Sequence, residues 1–302
     1  MDFQFILYPC PSVSIRVHLW TIFFSAISRT MIEITKITSR DNERLKSVRK
    51  LREGKADGRI FIEGVRLAEE ALRSDIFIDE CFISSKFAET ERKANLVDEL
   101  RVRDYSVIEV TEKLFSSISD TQNSQGIILI ARRPGNSKER IEANLLNLPL
   151  AIFLHEAGDP ANIGGILRTA EAAGVAGVIV SKGSADAFSP KAVRAAMGSS
   201  FRLPVWESAD LDEILLWAEI LNLKTTAADI NADTSYTDVS WEIPRLLIFG
   251  SEAHGLSRDM LAKIAESVHI PMASGVESLN LAVSCGIILF EAKRQNLKVK
   301  TP

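Results

Sequence analysis

The sequence predicts an α/β protein in which a small N-terminal α/β unit precedes a larger unit built on a parallel sheet. Runs typical of strands alternate with runs typical of helices almost throughout residues 32–295, as in parallel strands joined by helices. Pro134-Gly135 and the polar stretch 136–147 interrupt that alternation. The chain of 302 residues is long enough for two hydrophobic cores. We therefore expect one domain over 31–134, a linker over 135–147 and a second domain over 148–302.

Hydrophobic periodicity assigns the elements of the first unit in chain order. Alternating or apolar runs predict strands at Ile60–Glu63, Glu80–Ser84, Ser106–Val110 and Gly126–Ala131. Helical spacing of apolar residues predicts helices at Val65–Leu72 and Thr90–Arg103. The linker carries one further short helical pattern.

The second unit opens with an apolar strand at Leu150–Leu154, a helix over Ile163–Ala173 and a strand at Val178–Val180, which together make a βαβ unit. Gly174 suits the left-handed end of that helix. Ser189-Pro190 predicts the start of the next helix, which Gly198 closes. Later strands are predicted at Leu203–Trp206, Thr225–Ala228 and Arg245–Phe249, before a long helix over Ser278–Gln295.

Residues 1–30 do not fit this pattern. Their apolar run from Val13 to Ile27 is interrupted by Arg16 and His18, so it is too short and too broken for a membrane span. We expect Met31 to begin the globular sequence and residues 1–30 to be an extension outside the fold. An organelle transit peptide is the alternative, because the stretch is poor in acidic residues.

Composition limits the kinds of site that the chain can build. Three cysteines stand far apart without a CxxC pair, and the four histidines lack metal-ligand spacing. We therefore expect no bound metal, no disulfide framework and a reducing, cytoplasmic location. The net charge of −4 argues against a uniformly basic protein but leaves room for a local basic patch.

One such patch lies between Ser39 and Arg59, where eight basic and four acidic residues give a local charge of +4. Leu45, Val48 and Leu51 recur at helical spacing, so the basic residues lie on the outer face of an amphipathic helix. A charge run of this kind is often only a solvated surface. The alternative is contact with the phosphate backbone of a nucleic acid, for which we select Arg40, Arg44, Lys46, Arg49 and Lys50.

Three short segments of the second unit combine strand ends, glycines and polar side chains. The first is Asp159-Pro160-Ala161-Asn162-Ile163-Gly164-Gly165-Ile166-Leu167-Arg168-Thr169. At a turn from strand to helix, such residues let a ligand approach the backbone. Asn162 and Arg168 are the candidate functional residues, and an N-cap with a surface arginine is the purely structural alternative.

The second segment, Leu247-Ile248-Phe249-Gly250-Ser251-Glu252-Ala253-His254-Gly255-Leu256-Ser257, follows an apolar strand into a glycine-bounded acidic loop. Ligands of open α/β sheets bind beyond the carboxyl ends of the strands, so this loop is well placed for a cofactor. Glu252 is the candidate residue here. His254 is not assigned a role, since most loop histidines are only hydrogen-bonded or solvated.

The third segment is Ile270-Pro271-Met272-Ala273-Ser274-Gly275-Val276-Glu277-Ser278-Leu279-Asn280-Leu281-Ala282-Val283-Ser284. It leads from a strand end through a flexible turn into a helix rich in small residues. Ser278 and Asn280 present side-chain oxygens, and Ser278 is also a possible helix cap. Neither a dinucleotide-binding fingerprint nor a phosphate-binding loop motif is present in the sequence.

Taken together, the three segments resemble the three motifs of the SpoU (TrmH) family of RNA ribose methyltransferases. The likeness covers about Leu148 to Gln295. Residues 37–133 also resemble the small, ribosomal-protein-like substrate-binding domain of many members. Ile60-Phe61-Ile62-Glu63-Gly64-Val65-Arg66-Leu67 and Asp120-Thr121-Gln122-Asn123-Ser124-Gln125-Gly126-Ile127 carry that second likeness.

The resemblance implies a catalytic domain with a deep trefoil knot, a homodimer, and S-adenosylmethionine as the methyl donor to a ribose 2′-hydroxyl of RNA. It places the polar active site at Asn162, Arg168, Glu252, Ser278 and Asn280. It places cofactor contacts, largely through the backbone, at Phe249, Gly250, Ile270, Met272 and Leu279. Because of the N-terminal domain, the resemblance also favours large-subunit (23S-type) ribosomal RNA as the substrate.

Three alternatives remain open at this point. The first alternative is a transfer-RNA ribose methyltransferase, and the second is a base methyltransferase of the wider knotted SPOUT superfamily. The third is a non-catalytic RNA-binding or ribosome-assembly factor. The resemblance assigns Arg168 as the base that deprotonates the ribose. Because a guanidinium stays protonated in proteins, we expect Arg168 instead to position and stabilise the reacting oxygen.

Overall fold

The computed structural model of the chain describes residues 34–55, 58–147 and 149–299, which form two sheets flanked by helices. The predicted α/β class, with a parallel sheet and a smaller α/β unit before it, is confirmed. The prediction for residues 1–30 lies outside the described residues.

The first sheet is built from residues before the predicted linker. Its strands are β1 (Thr35–Ile37), β2 (Arg59–Glu63), β3 (Ile78–Ser84), β4 (Ser106–Val110) and β5 (Ile127–Arg132). Its helices are α1 (Glu43–Arg52), α2 (Val65–Arg73), α3 (Glu91–Val102) and α4 (Glu112–Ile118), with a 3₁₀ turn at Phe87–Glu89. The strand order is β1-β4-β3-β5-β2.

This first sheet is mixed, although parallel pairing is the sequence-based expectation. Strand β5 runs antiparallel to both β2 and β3. The cause lies in α4, whose seven residues span only about 10 Å and do not carry the chain back to the opposite edge of the sheet. The chain instead re-enters the sheet from the edge at which β4 ended.

The second sheet has seven strands, in the order β10-β12-β9-β11-β6-β7-β8, and every pair in it is parallel. The strands are β6 (Leu150–Leu154), β7 (Val178–Ser181), β8 (Val205–Ala209), β9 (Lys224–Ala228), β10 (Thr234–Ser235), β11 (Arg245–Phe249) and β12 (Glu266–His269). The helices are α5 (Lys138–Leu145), α6 (Pro160–Ala173), α7 (Pro190–Ala196), α8 (Ser199–Arg202), α9 (Leu211–Ile220), α10 (Arg258–Leu261) and α11 (Leu281–Val299).

Two helix boundaries near the polar segments follow the local sequence. Gly174 ends α6 in the predicted left-handed conformation, with φ of 80°. Ser189 caps α7, and Pro190 is its first residue, as predicted. That helix ends at Ala196 rather than Gly198, because Met197 already adopts a left-handed φ of 50°.

The long C-terminal helix begins at Leu281, so the predicted start at Ser278 is wrong. Asn280 is the cap: its side-chain oxygen accepts hydrogen bonds from the N–H groups of Ala282 and Val283, at 2.9 and 3.3 Å. Helix α11 then packs closely on α6. A Cβ added to Gly165 would lie 3.5 Å from that of Ala282, so small residues permit this approach.

The predicted linker packs against the second sheet through α5. Ile141 is fully buried, and Glu142 accepts a 2.8 Å hydrogen bond from the indole of Trp217. A Cβ on Gly177 would lie 2.5 Å from Ile141, so only glycine fits at that contact. Residues 138–145 are therefore part of the packed structure.

Ion pairs join the first half of residues 34–299 to the second. Arg133, just after β5, contacts the carboxylates of Asp186 and Glu207, each at 2.7 Å. Arg202 binds Glu70 of α2 at 2.8 Å and Glu171 of α6 at 2.6 Å. These contacts hold the N-terminal unit against helices α6 to α8.

Candidate methyl-transfer site

The three polar segments meet at one edge of the second sheet. The first follows β6, the second follows the neighbouring strand β11, and the third follows β12, with β9 lying between β12 and β11. Because all of these strands are parallel, their carboxyl ends lie at the same edge, where ligands of open α/β sheets bind.

A chain of side-chain hydrogen bonds connects the three segments. The amide nitrogen of Asn162 donates to Oε1 of Glu252 at 2.8 Å. The amide nitrogen of Asn280 donates to the side-chain oxygen of Asn162 at 2.9 Å. Three residues that are distant in sequence therefore form one polar cluster, with Asn162 at its centre.

The Glu252 carboxylate is fixed by the turn before α6. It accepts hydrogen bonds from the N–H groups of Gly158, at 2.9 Å, and Asp159, at 3.3 Å, as well as from Asn162. Burial raises the pKa of Glu252, but these hydrogen bonds outweigh it, so its pKa lies below the ordinary value of 4.5. The group is therefore ionised at neutral pH and acts as an acceptor that orients its neighbours.

Asp159, and not Asn162, is the N-cap of α6. Its carboxylate accepts a 3.0 Å hydrogen bond from the N–H of Ala161, and Pro160 is the first helical residue. The Asp-Pro pair is a typical start of a helix, and α6 therefore begins three residues before the predicted Ile163. Because Asp159 takes the cap position, the side chain of Asn162 is free to bind Glu252 and Asn280.

Arg168 lies on α6, six residues or about 9 Å beyond Asn162. Its side chain is exposed and makes neither a hydrogen bond nor an ion pair with any residue that the structure describes. It is therefore not joined to the Glu252–Asn162–Asn280 cluster. A guanidinium without a protein partner can bind a phosphate or a developing oxyanion.

Ser278 and Leu279 lie in the exposed segment before α11. Ser278 makes no hydrogen bond within residues 34–55, 58–147 and 149–299, and the side chain of Leu279 is 37% exposed. Their neighbour Asn280 is the residue of this segment that reaches the polar cluster. The structure thus brings three of the five predicted active-site residues together, and leaves Arg168 and Ser278 open to solvent.

The loop after β11 turns back on itself at Gly250. Ser251 bridges to Gly255, and a Cβ on Gly250 would lie 2.2 to 2.5 Å from backbone atoms of Gly255 and Leu256. A side chain at this position would displace the loop. The position of the predicted cofactor residue therefore requires glycine for steric reasons.

Three of the other predicted cofactor residues belong to a stretch of backbone, residues 270–279, in which most peptide N–H groups make no hydrogen bond with the described residues. Phe249 is buried, Ile270 and Met272 are partly buried, and Leu279 is exposed. In the described structure, Val276 is the one residue of 270–279 whose N–H donates a hydrogen bond, and its acceptor is the carbonyl of Ala273. Apolar side chains beside unpaired peptide groups fit a ligand such as S-adenosylmethionine, which carries an aromatic base and hydrogen-bonding edges.

The cations predicted to contact RNA on α1 are largely occupied by protein partners, although the predicted amphipathic packing of Leu45, Val48 and Leu51 is confirmed. Each occupied cation has its own acceptor. Arg44 pairs with Glu80 at 3.2 Å, Lys46 pairs with Glu43 at 2.8 Å, and Arg49 donates to Ser117 and to the carbonyl of Arg40. Of these five cations, Arg40 and Lys50 have exposed side chains that make no hydrogen bond or ion pair with the described residues.

Lys191 of α7 is a site residue that the sequence did not indicate. Its ammonium lies 2.8 Å from the Asp159 carboxylate, and a hydrogen bond with Lys191 is the main cause of the lowered pKa of Asp159. The sequence offers no signal for this pair, because 32 residues separate its members.

Two classes of site are not found in the part of the chain that the structure describes. No group of three or more histidine, cysteine or acidic side chains is placed to hold a metal ion there. None of the described helices is both long and apolar enough to cross a membrane.

Two family models match the chain. The model of the SpoU rRNA methylase family matches residues 149–290, and that of the MRM3-like substrate-binding domain matches residues 42–129. The first match contains all three polar segments, and the second contains α1 and the loop between α4 and β5.

Known proteins resemble the chain over most of its length. An uncharacterized tRNA/rRNA methyltransferase of Synechocystis is 31% identical, over 89% of this chain and 97% of that protein. The 23S rRNA (guanosine(2553)-2′-O)-methyltransferase of Bacillus subtilis is 30% identical, over 85% of this chain and 99% of that protein. The crystal structure of an AdoMet-bound rRNA methyltransferase from Sinorhizobium meliloti superimposes with a TM-score of 0.74 at 28% identity, covering 86% of this chain and 98% of that one. The chain therefore belongs to the SpoU rRNA methylase family, a family of S-adenosylmethionine-dependent RNA methyltransferases.

Proposed function

We propose that the protein transfers the methyl group of S-adenosylmethionine to a ribose 2′-hydroxyl of large-subunit ribosomal RNA. The observation that carries the proposal is the hydrogen-bonded cluster of Glu252, Asn162 and Asn280. Arg168, on the same helix as Asn162, is exposed and has no hydrogen-bond or ion-pair partner among the described residues. The name of the Bacillus subtilis relative specifies a 2′-O-methyltransferase acting on 23S rRNA. That relative supports both the ribose and the choice of ribosomal over transfer RNA.

The cluster provides orientation for the reaction. When bound, S-adenosylmethionine supplies a methyl group on a sulfonium, which is already a good leaving group. The protein must therefore align the ribose oxygen, and such alignment contributes about 7–11 kcal/mol to catalysis in well-oriented systems. Asn162 and Asn280 hold fixed amide groups for this purpose, and Glu252 prevents the Asn162 amide from rotating.

Arg168 supplies positive charge near the reacting hydroxyl. Its guanidinium is a poor base, since it stays protonated at any physiological pH. In our proposal it binds the phosphate beside the target ribose and stabilises the oxygen as the proton leaves to water. Ser278, two residues before Asn280 in the exposed segment that precedes α11, contributes a hydroxyl.

Cofactor binding is assigned to the two glycine-containing loops. Phe249 and Gly250 form one wall, and Ile270, Met272 and Leu279 form the other. Apart from the Val276–Ala273 pair, the peptide groups of residues 272–279 that make no hydrogen bond within the described structure would hold the polar edges of the ligand. In this assignment Asn280, which caps α11 and donates to Asn162, links the cofactor loop to the polar cluster.

We further propose that the second domain is knotted and that the protein is a homodimer. The proposal of a knot is supported by the path of the chain: β12 pairs with β9, whereas α11, which follows β12, packs on α6, the helix that follows β6 two strands further along the sheet. Val283, Phe290 and Leu297 recur every seven residues on α11 and are 50%, 50% and 58% exposed. A second copy of the chain would cover this stripe. Sedimentation of Phe290→Glu as a monomer, beside a dimeric parent, is the expected result, and a monomeric parent contradicts the dimer.

A cytoplasmic location completes the proposal. Cys81 and Cys285 are buried free thiols, and burial raises the pKa of both well above the ordinary value. Buried thiols without partners fit a reducing compartment. Fractionation of the source cell, with antibody detection of the protein, tests the location, and recovery in a membrane-enclosed oxidising compartment contradicts it.

The experiment that tests the function is transfer of labelled methyl from S-adenosylmethionine to unmodified 23S-type and transfer-RNA transcripts. Arg168→Ala is assayed beside the parent. We expect label in the ribosomal transcript with the parent and loss of label with the variant. Label confined to transfer RNA would contradict the assigned substrate. Tight RNA binding without any transfer would favour a non-catalytic assembly factor.

A further inference from the structure

The loop between α4 and β5 has a more elaborate internal structure than its surface position requires. Glu63, at the end of β2, is only 5% exposed and accepts four hydrogen bonds from this loop. The donors are the hydroxyls of Ser119, Thr121 and Ser124 and the N–H of Asp120, at 2.5 to 2.8 Å. Because an unsatisfied buried carboxylate is costly, these bonds hold the loop in one conformation.

The end of the loop is fixed by Gln125. Its side-chain oxygen accepts a 2.7 Å hydrogen bond from the N–H of Val65, the first residue of α2. Gly64 and Gly126 flank the contact with φ of 111° and 85°, and a Cβ on Gly126 would lie 2.8 Å from the Ser84 hydroxyl. The loop is thus rigid at both ends.

Two side-chain amides on this loop, and one cation on the neighbouring helix α2, have no hydrogen-bond or ion-pair partner among the described residues. Gln122 and Asn123 are exposed, and their side chains make no hydrogen bond with the described residues. Arg66, in the first turn of α2, is exposed and has no ion-pair partner within the described ranges. These groups contrast with Arg44, Lys46 and Arg49 of α1, whose partners are on the protein.

The loop is also tied to the methyl-transfer site through α7. Asp120 forms an ion pair with Arg194 of α7. Lys191, one turn earlier on the same helix, binds Asp159, whose N–H donates to Glu252. A nucleotide held at the loop would therefore lie at a fixed distance from the Glu252–Asn162–Asn280 cluster.

We propose that this loop reads an unpaired nucleotide of the substrate RNA through the amides of Gln122 and Asn123, while Arg66 binds an adjacent phosphate. Amide side chains match the hydrogen-bonding edges of bases, and specific RNA recognition targets bases that are not paired. Groups preorganised by a buried supporting network make precise contacts of this kind. The inference rests on the proposed RNA methylation and names where the protein selects its substrate.

The test compares Gln122→Ala/Asn123→Ala with the parent and with Asn136→Ala. The control removes an exposed amide without a partner among the described residues, beyond the opposite end of β5. Binding to an unmodified 23S rRNA transcript is measured by filter retention, and S-adenosylmethionine binding by calorimetry. We expect the double variant to weaken RNA binding and raise the KM for RNA about tenfold, with unchanged cofactor binding. RNA binding equal to that of the control overturns the inference.

A second variant, Arg66→Met, tests the phosphate contact separately. Its RNA affinity should fall, and the slope of log Kd against log salt should decrease by about 0.7, the value for one phosphate contact on a single strand. The amide variant should leave that slope unchanged. An unchanged slope in Arg66→Met overturns the phosphate assignment. A parent that binds the transcript but transfers no methyl contradicts the proposed function, and the binding comparison still decides this inference.

Discussion

The side-chain amide of Asn162 donates a 2.8 Å hydrogen bond to Glu252, a residue 90 positions further along the chain. This bond joins the loop after β6 to the loop after β11. Since the same asparagine accepts from Asn280, the three polar segments share a single interaction centre. The direction of the hydrogen bonds in that centre, from Asn280 to Asn162 to Glu252, depends on Glu252 being a charged acceptor.

Glu252→Gln should therefore lower kcat/KM for methyl transfer by about 10- to 100-fold. The glutamine amide presents donors to the N–H groups of Gly158 and Asp159, and hydrogen bonds to charged groups contribute about 1.5–3 kcal/mol. Steady-state methyl transfer with labelled cofactor measures the effect. Glu242→Gln, at an exposed position away from the cluster, is the control and should match the parent. Equal rates for both variants would show that the acceptor charge has no role.

How far the site was predictable from sequence depends on how many residues separate the interacting partners along the chain. Strand ends and helix caps follow from neighbouring residues, so Gly174 and Ser189-Pro190 were assigned correctly. The three polar segments were also identifiable, because each combines a strand end, glycine and polar residues. Their meeting at one edge of the sheet then follows from parallel pairing.

Long-range partners account for what the sequence did not indicate. Arg44 and Arg49 belong to a basic run, yet Glu80 and Ser117, which bind them, lie 36 and 68 residues away. Lys191 acquires its connection to the site only because α7 packs beside α6. A local charge count therefore overstates the number of α1 cations available to a ligand. It also misses Arg66, which has no ion-pair partner among the described residues.

Arg168→Lys tests whether Arg168 acts as a base or by its charge. Because arginine remains protonated, we expect the pKa that controls the pH–rate profile to be unchanged, while kcat falls as bidentate contact is lost. The profile is measured at saturating cofactor. Disappearance of the controlling pKa in the variant would assign the proton transfer to Arg168. Thermal unfolding should be unaffected, since the exposed side chain makes no hydrogen bond or ion pair with the described residues.

Gly250→Ala should impair cofactor binding more than folding. The added Cβ would lie 2.2 Å from the backbone of Gly255, so the loop that forms one wall of the proposed cofactor site must move. We expect the Kd for S-adenosylmethionine, measured by calorimetry, to rise at least about tenfold. Gly135→Ala is the matched control, because nothing lies within 4 Å of a Cβ at that position. Equal affinities in both variants would remove Gly250 from the cofactor site.

Acid stability should depend on Glu266. This residue pairs with buried Arg245 and with Lys224; burial raises its pKa, but the two cations lower it more, leaving the pKa below 4.5. A carboxyl whose folded pKa is lowered stabilises the protein above its unfolded pKa and loses that contribution as pH falls. Between about pH 5 and 3, the parent should therefore lose stability more steeply than Glu266→Gln.

At pH 7 the Glu266→Gln variant should be about 3 kcal/mol less stable, because Arg245 is then buried without a carboxylate. Urea unfolding at both pH values measures these differences. Glu242→Gln provides the control for removal of an exposed carboxylate. Parallel pH dependences for the parent and Glu266→Gln would show that the ion pair does not control acid stability.

The position of the transferred methyl group tests the central claim most directly. Unmodified 23S rRNA transcript is treated with the enzyme and labelled cofactor, digested completely to nucleosides and separated by chromatography with mass detection. The account predicts label in a single 2′-O-methylated nucleoside, which appears as an alkali-resistant dinucleotide when the same RNA is hydrolysed with base. Label on a nucleobase, with ordinary alkaline cleavage at every position, would contradict it.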